Sequence, residues 1–168
     1  RDDDFSTTTI HAIDAVKFIA DCDYKTVDFT YQQIDGENKN VANIYLNGIF
    51  ESGAIAQLSL VAMGGTVAER ISVNTDVATY FVELPFWSNP DSPGKLTRLV
   101  GNNVTDTISG DSLIDSTEMF LESGFYQENR DFFEAVRSGD YTEDVSSGLQ
   151  SVEIADCIRK RKTKYTAK

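Results

Sequence analysis

The middle of the chain is a succession of short segments of strand-like pattern, and it constrains the fold more than any other feature. The segments are rich in β-branched and aromatic side chains, or they alternate apolar with polar residues. The five clearest segments are residues 25–34, 41–50, 54–62, 66–74 and 77–84. Only a few residues separate each from the next, whereas parallel strands need a crossover of a dozen or more. The sequence therefore predicts antiparallel neighbours.

Weaker strand patterns follow at residues 96–100 and 104–109, and helical patterns occupy the two ends of the chain. The predicted helices are residues 9–20, 126–138 and 147–162, with a short one near 115–122. The last two long helices each have an apolar side, formed by Phe125, Phe132, Phe133 and Val136 and by Leu149, Val152, Ala155 and Ile158. Ser147 and Gln150 have the spacing of a capping box at the start of the last helix. This order predicts an α+β fold: a mostly antiparallel open sheet of about six or seven strands with helices on one face. We expect one domain over residues 1–168.

The first predicted helix is apolar around most of its circumference. His11, Asp14 and Lys17 recur every three positions and form one narrow polar stripe. A helix that is apolar nearly all round is normally buried, so we expect this stripe to face a cleft or a partner. A threonine at position 7, 8 or 9 is expected to cap the helix.

Charge and cysteine content exclude several classes of function. The chain carries 27 acidic and 15 basic side chains, a net charge of −12, which argues against a nucleic-acid binder. Its two cysteines and single histidine do not make a zinc site, and no metal site is predicted.

No apolar stretch is long enough to span a membrane and no signal peptide is visible, so a cytoplasmic location is expected. Six basic side chains in the last ten residues are best explained by a helix C-terminus.

Motifs for common chemistries are missing, and one pair of residues stands out. The sequence contains neither G-x-G-x-x-G nor G-x-x-x-x-G-K-[ST], and it has no G-x-S-x-G elbow. His11 and Asp14 are three apart on the predicted helix, where a carboxylate can orient an imidazole that holds or protonates a substrate oxygen. From spacing alone, a structural interpretation has the greater weight: Asp14 bonds near the helix start, and His11 is a half-buried imidazole.

Four stretches together resemble the C-terminal domain of the Gfo/Idh/MocA oxidoreductases, the glucose–fructose oxidoreductase and inositol dehydrogenase group. Residues 4–14 run from Asp4-Phe5 through Thr-Thr-Thr-Ile-His11 to Asp14 and resemble the start of that domain. Residues 47–58 resemble its central hairpin. Residues 125–139 and 148–154 resemble its last two helices. The resemblance covers nearly the whole chain in the right order.

The resemblance implies a dihydrodipicolinate-reductase-like C-terminal domain that contacts substrate and assembles subunits through its open sheet. It implies a catalytic role for His11, near the nicotinamide and the reacting hydroxyl, with Asp14 beside it. Thr7 stands where many members have an Asp, and we expect it at the substrate. Trp87, in the proline-rich loop 85–95, is expected to help shape a sugar cleft, although an ordinary surface loop is an equal alternative. The family's usual reaction is hydride transfer between a sugar, inositol or related polyol and NAD(P).

The family's N-terminal Rossmann domain, which binds the cofactor, has no counterpart in these 168 residues. We therefore expect NAD or NADP in a longer parent protein, with no cofactor-binding residue in this chain, and we expect the chain alone to be inactive. The expected partners are the parent's own Rossmann domain, a second copy of the chain through the sheet face, and a small sugar or polyol. The alternative is a non-catalytic dimerisation or interaction module derived from the same fold.

Overall fold

A computed structural model of the chain describes residues 6–34, 36, 42–62, 64–85, 90–114, 116, 118–139 and 146–168. The helices are α1 (Ser6–Ala20), α2 (Met119–Glu122), α3 (Phe125–Ser138) and α4 (Ser146–Arg159), with a 3₁₀ turn at Gly110–Ser112. The strands are β1 (Tyr24–Gln33), β2 (Ala42–Phe50), β3 (Ile55–Leu60), β4 (Glu69–Asn74), β5 (Thr79–Leu84), β6 (Lys95–Val100), β7 (Asn103–Ser109) and β8 (Lys164–Thr166). The chain divides into two compact units: residues 1–64 with 142–168, called the first unit, and residues 65–141, called the second unit.

The first unit is an antiparallel sheet of order β3-β2-β1-β8 with α1 and α4 packed on one face. Alternate residues of the strands point inward, as the period of two in the sequence requires. The two helices add apolar side chains to the same layer. The buried cluster consists of Ile13, Tyr24, Val27, Phe29, Ile44, Leu46, Phe50, Leu58, Ile154, Cys157 and Ile158.

Tyr24 ties the layers of the first unit together. Its ring stacks on Phe50 with centroids 4.2 Å apart, and its hydroxyl donates to the Ile13 carbonyl of α1 at 3.2 Å. Gly48 lies directly beneath this ring, since a Cβ there would come within 2.7 Å of the Tyr24 side chain. The Gln150 side chain of α4 accepts from the Tyr24 backbone N–H at 2.8 Å and donates to its carbonyl at 2.9 Å. One tyrosine thus joins both helices to β1.

The second unit contains a sheet of order β4-β5-β6-β7, with each strand paired to its neighbour in the chain. Arg70 of β4 donates two hydrogen bonds to the Asp91 carboxylate, at 2.9 and 2.6 Å, and fastens the loop before β6. α3 ends at Gly139, whose φ of 71° is the left-handed conformation that favours glycine at a helix end. The apolar side predicted for α3 exists, but Phe125, Phe132, Phe133 and Val136 are all exposed.

The predicted α+β class and the antiparallel pairing are confirmed. The number of sheets differs from the prediction, because the described strands form two sheets of four, not one of six or seven. The additional strand, β8, pairs Thr26 with Thr166 and Val27 with Tyr165. A three-residue segment inside a basic tail gives no periodic signal, so only the tertiary pairing creates this strand. A single domain over residues 1–168 stays a prediction.

Several details of the helices differ from expectation. α1 begins at Ser6, so Thr7, Thr8 and Thr9 lie inside its first turn and do not precede it as caps. Ser147 likewise lies within α4, and Gln150 holds Tyr24, so the predicted capping box is wrong. The prediction that α1 is buried nearly all round is also wrong, because Phe18 is 83% exposed. α4 buries Ser151, Ile154, Ala155, Cys157 and Ile158, whereas two members of its predicted apolar stripe, Leu149 and Val152, are exposed.

The basic tail is engaged by its own unit. Arg159 and Lys160 both pair with the Asp156 carboxylate, and these bonds, that of Lys160 first, lower the pKa of Asp156. The Arg161 guanidinium lies 4.7 Å above the Tyr31 ring. These contacts favour the structural explanation of the tail over an anion-binding one.

Candidate functional site

The exposed side of α1 carries the residues that the sequence selects. Thr9 and Ile13 are buried against the sheet, at 1% and 0% exposure, which turns the opposite side of the helix outward. Thr8, His11, Asp14 and Phe18 all lie on that outward side and are exposed. Spacings of three, four and seven residues bring His11, Asp14 and Phe18 onto one helix face. α1 therefore presents an imidazole, a carboxylate and an aromatic ring together.

The predicted partner of His11 is bonded to another helix. The Ser151 hydroxyl of α4 donates to Asp14 Oδ1 at 2.7 Å, and Ser151 is 1% exposed. Within the described part of the chain, the His11 side chain makes no hydrogen bond or ion pair. His11 and Asp14 therefore lie on the same helix face, but the Asp14 carboxylate is hydrogen-bonded to Ser151 and not to the His11 imidazole.

The third member of the polar stripe has a structural role. Lys17 Nζ donates to the Ser147 carbonyl of α4 at 2.7 Å and pairs with the Asp23 carboxylate at 2.8 Å. Its side chain is only 15% exposed. Asp14 and Lys17 therefore both bond to α4, whereas the exposed His11 side chain does not.

The buried Tyr24 lies below this face. Burial raises the pKa of its phenol well above the ordinary value, and the negative charge of Asp14 adds to the rise. The hydroxyl is therefore neutral across the physiological range and acts as a donor to α1. Its hydrogen bond to the Ile13 carbonyl stabilises the helix that carries His11.

The side chains of Thr7 and Trp87, the two predicted substrate residues, lie outside the described part of the structure. Thr7 lies in the first turn of α1, one turn before His11, and nothing further is described for its side chain. Trp87 belongs to residues 86–89, which lie outside the described residues. Their proposed contacts with a sugar stay predictions.

Sequence reasoning missed Ser151 and also a cavity in the second unit. This cavity has a volume of about 200 Å³ and is predominantly apolar, with Val82, Leu84, Leu96 and Ile108 from the sheet among its lining. Its lining comes from three strands, from the loops beside them and from α2, so no single stretch of sequence predicts it. Ser151 could have been noticed as a lone hydroxyl between the apolar positions of the last helix.

In the part of the chain that the structure describes, no group of three or more His, Cys, Asp or Glu side chains is placed to hold a metal ion. Every strand pairing described is antiparallel, whereas a dinucleotide site is formed at the carboxyl ends of parallel strands beside a helix N-terminus. The described strands thus do not form a Rossmann-type dinucleotide site. No described helix has the length and apolarity needed to cross a bilayer.

Two solved structures share the fold of this chain. One is described as a "putative NADPH-dependent oxidoreductase" from Desulfitobacterium hafniense, with a TM-score of 0.64 and 19% identity over 94% of this chain and 46% of that one. The other is an NAD-binding protein from Listeria innocua, with a TM-score of 0.52 and 14% identity over 94% of this chain and 49% of that one. The chain thus spans about half the length of each. No protein-family model and no curated protein matches the sequence.

At these identities the likeness establishes a shared fold. It agrees with the resemblance noted from the sequence, since both concern one half of a nucleotide-dependent protein. Membership of the Gfo/Idh/MocA family and a cytoplasmic location stay predictions.

Proposed function

We propose that this chain is the substrate-binding and oligomerisation part of an NAD(P)-dependent oxidoreductase that acts on a sugar, inositol or related polyol. The observation that carries the proposal is the fold: 94% of the chain matches about half of a protein described as an NADPH-dependent oxidoreductase. The exposed His11 and Asp14 supply a candidate site on the first helix.

The chemistry assigned to this chain is proton exchange with a substrate hydroxyl. An imidazole is the side chain that most often transfers protons in enzymes, and His11 is exposed where a substrate can reach it. Asp14 is held by Ser151 and offers a carboxylate on the same helix face. The aromatic ring of Phe18 adds an apolar surface, which suits the C–H face of a sugar ring.

The cofactor is proposed to lie in a different part of the parent protein. NAD or NADP would supply the hydride chemistry when bound there. We expect isothermal titration of this chain with NADH and with NADPH to show no binding in the micromolar range. Micromolar binding of either dinucleotide to the isolated chain would contradict a cofactor site in another part of the parent protein.

The oligomerisation role is assigned to the outer face of the first sheet. This face carries uncharged amide and hydroxyl groups: Asn43 Nδ2 and the Tyr45 hydroxyl both donate to Gln32 Oε1, at 3.0 and 3.2 Å. On the neighbouring pair of strands, Gln57 Nε2 donates to Asn47 Oδ1 at 3.3 Å. The same face also carries the Asp28–Lys164 ion pair, with Oδ1 and Nζ 3.7 Å apart. A polar sheet face of this kind suits a second copy of the chain.

The oligomer is tested by sedimentation velocity at increasing protein concentration. Asn47→Arg introduces like charges across a symmetric interface and is expected to shift the protein towards monomer. The matched control is Asn103→Arg on the exposed strand β7 of the second unit. A wild-type monomer at high concentration, or an equal effect of both variants, would contradict the assignment.

Activity is tested by producing this chain together with the coding sequence on the N-terminal side of Arg1. Turnover of a panel of sugars and polyols is followed by absorbance of the reduced nicotinamide. His11→Ala is expected to lower kcat by about 10²–10⁴-fold, as for loss of a general acid or base. Asp76→Asn, at an exposed position of the second unit, is expected to leave it unchanged. If the oligomer persists without turnover, a non-catalytic interaction module is the better description.

A further inference from the structure

Ser151 occupies a position where packing alone favours an apolar side chain. It is 1% exposed on the buried side of α4, which it shares with Ile154, Ala155 and Ile158. Alanine has a higher helix propensity than serine and fills nearly the same volume. A buried hydroxyl also costs free energy unless it is hydrogen-bonded. The presence of serine at this site therefore requires a reason other than packing.

That reason is visible in its hydrogen bond. Ser151 Oγ donates to Asp14 Oδ1 at 2.7 Å, a short bond to a charged acceptor. Serines inside helices commonly donate to the carbonyl four residues earlier, which here belongs to Ser147. That carbonyl accepts from Lys17 Nζ at 2.7 Å. α4 thus contacts both charged members of the α1 stripe, one through a side chain and one through its backbone.

We infer that Ser151 is a positioning residue, whose hydroxyl holds the Asp14 carboxylate in place on the His11 side of α1. The candidate site is then assembled from two helices that are 137 residues apart in sequence at this contact. Asp14 and Lys17 are fixed by α4, and His11 remains the member that can meet a substrate. The effect on substrate rests on the proposed function, whereas the effect on Asp14 and His11 does not.

His11 supplies a direct probe, because it is the only histidine of the chain. Its imidazole Cε1–Hε1 group gives a single signal in a ¹H–¹³C correlation spectrum. Ser151→Ala releases the carboxylate three residues away, and we expect the His11 signal to move. Ser151→Thr keeps the hydroxyl and is expected to restore the wild-type position. The control is Ser112→Ala, which removes a hydroxyl that donates to the Ser109 carbonyl at 2.6 Å in the second unit.

A double-mutant cycle shows whether the serine acts through Asp14. Asp14→Ala removes the acceptor and is expected to move the His11 signal, and adding Ser151→Ala to it should move the signal no further. The inference is overturned if Ser151→Ala leaves the signal in place, if it still moves the signal in the Asp14→Ala background, or if Ser112→Ala moves it equally. Far-UV circular dichroism of each variant confirms that the fold is retained.

Kinetics of the longer parent protein separate this inference from the proposed function. Ser151→Ala is expected to lower kcat about tenfold with little change in KM, and Ser151→Thr to recover most of it. A shifted His11 signal without any turnover in the parent overturns the proposed function and leaves the positioning role standing. Turnover that depends on His11 but not on Ser151, with an unmoved signal, overturns the positioning role alone.

Discussion

The two units of this chain each contain a four-stranded antiparallel sheet, yet they bury very different amounts of apolar side chain. In the first unit α1 and α4 cover one sheet face, and Ile13, Ile44, Ile154 and Ile158 are all 0% exposed. Among the described residues of the second unit, Ala78 is the only one with a buried apolar side chain. A sheet gains its stability from the layer packed on it. The candidate site accordingly lies on the unit that can hold side chains rigidly.

Truncation of a strand isoleucine in each unit is expected to give a large difference in unfolding free energy between them. Ile44→Ala in β2 is expected to cost about 3 kcal/mol of unfolding free energy, because it leaves a cavity in a closed layer. Ile108→Ala in β7, where the side chain is 37% exposed, should cost less than ~1 kcal/mol. Urea unfolding of both variants measures the difference. Equal costs would show that the second unit is packed as tightly as the first.

Gly48 gives the next largest effect and is specific to the first unit. In Gly48→Ala the new Cβ would lie 2.7 Å from the Tyr24 ring, which is 1% exposed and stacked on Phe50. Overpacking of this kind costs about 1–3 kcal/mol. Gly65→Ala is the control, since a Cβ added there would have no atom within 4 Å. Thermal denaturation should separate the two variants clearly, and similar melting temperatures would argue against the close contact at Tyr24.

The second unit should depend on pH through Asp91. The two hydrogen bonds from Arg70 lower the pKa of the Asp91 carboxyl. The resulting stabilisation is therefore complete above the ordinary aspartate value of about 3.9, and it is lost as pH falls through the lowered value. Circular dichroism as a function of pH measures the acid transition.

Asp91→Asn should remove this part of the acid sensitivity. Asp76→Asn, which changes an exposed turn residue, should retain it. An acid transition that is identical in the wild type and in Asp91→Asn would show that the Arg70 pair does not contribute.

The smallest expected effect concerns the apolar side of α3. Phe132 is 62% exposed, so Phe132→Ala should change the unfolding free energy by no more than ~0.5 kcal/mol. Phe29→Ala, at 5% exposure in the first unit, serves as the matched comparison and should cost about 3–5 kcal/mol. Urea unfolding tests both. A large loss of unfolding free energy in Phe132→Ala would show that the apolar side of α3 is packed as tightly as the core of the first unit.

Local sequence signals predicted most of the elements. Short turns determined which strands pair, and Gly139 ends α3 where expected. The same signals failed where a long-range contact decides the outcome. The Gln150 side chain bonds to Tyr24, 126 residues away, so its capping-box spacing was misleading. Amphipathic spacing correctly placed Phe132 and Phe133 on one side of α3, but spacing cannot say whether a layer covers that side.

For the candidate site, the sequence by itself determined that His11 and Asp14 share one face of a helix, because a 3.6-residue turn makes positions three apart neighbours. It also determined an antiparallel α+β fold, because short turns allow no parallel crossover. Only the tertiary structure decided that Asp14 is bonded to Ser151, that Lys17 is bonded to α4, and that His11 is left exposed. These bonds join residues more than a hundred positions apart, and such contacts form only when two helices pack on the same sheet.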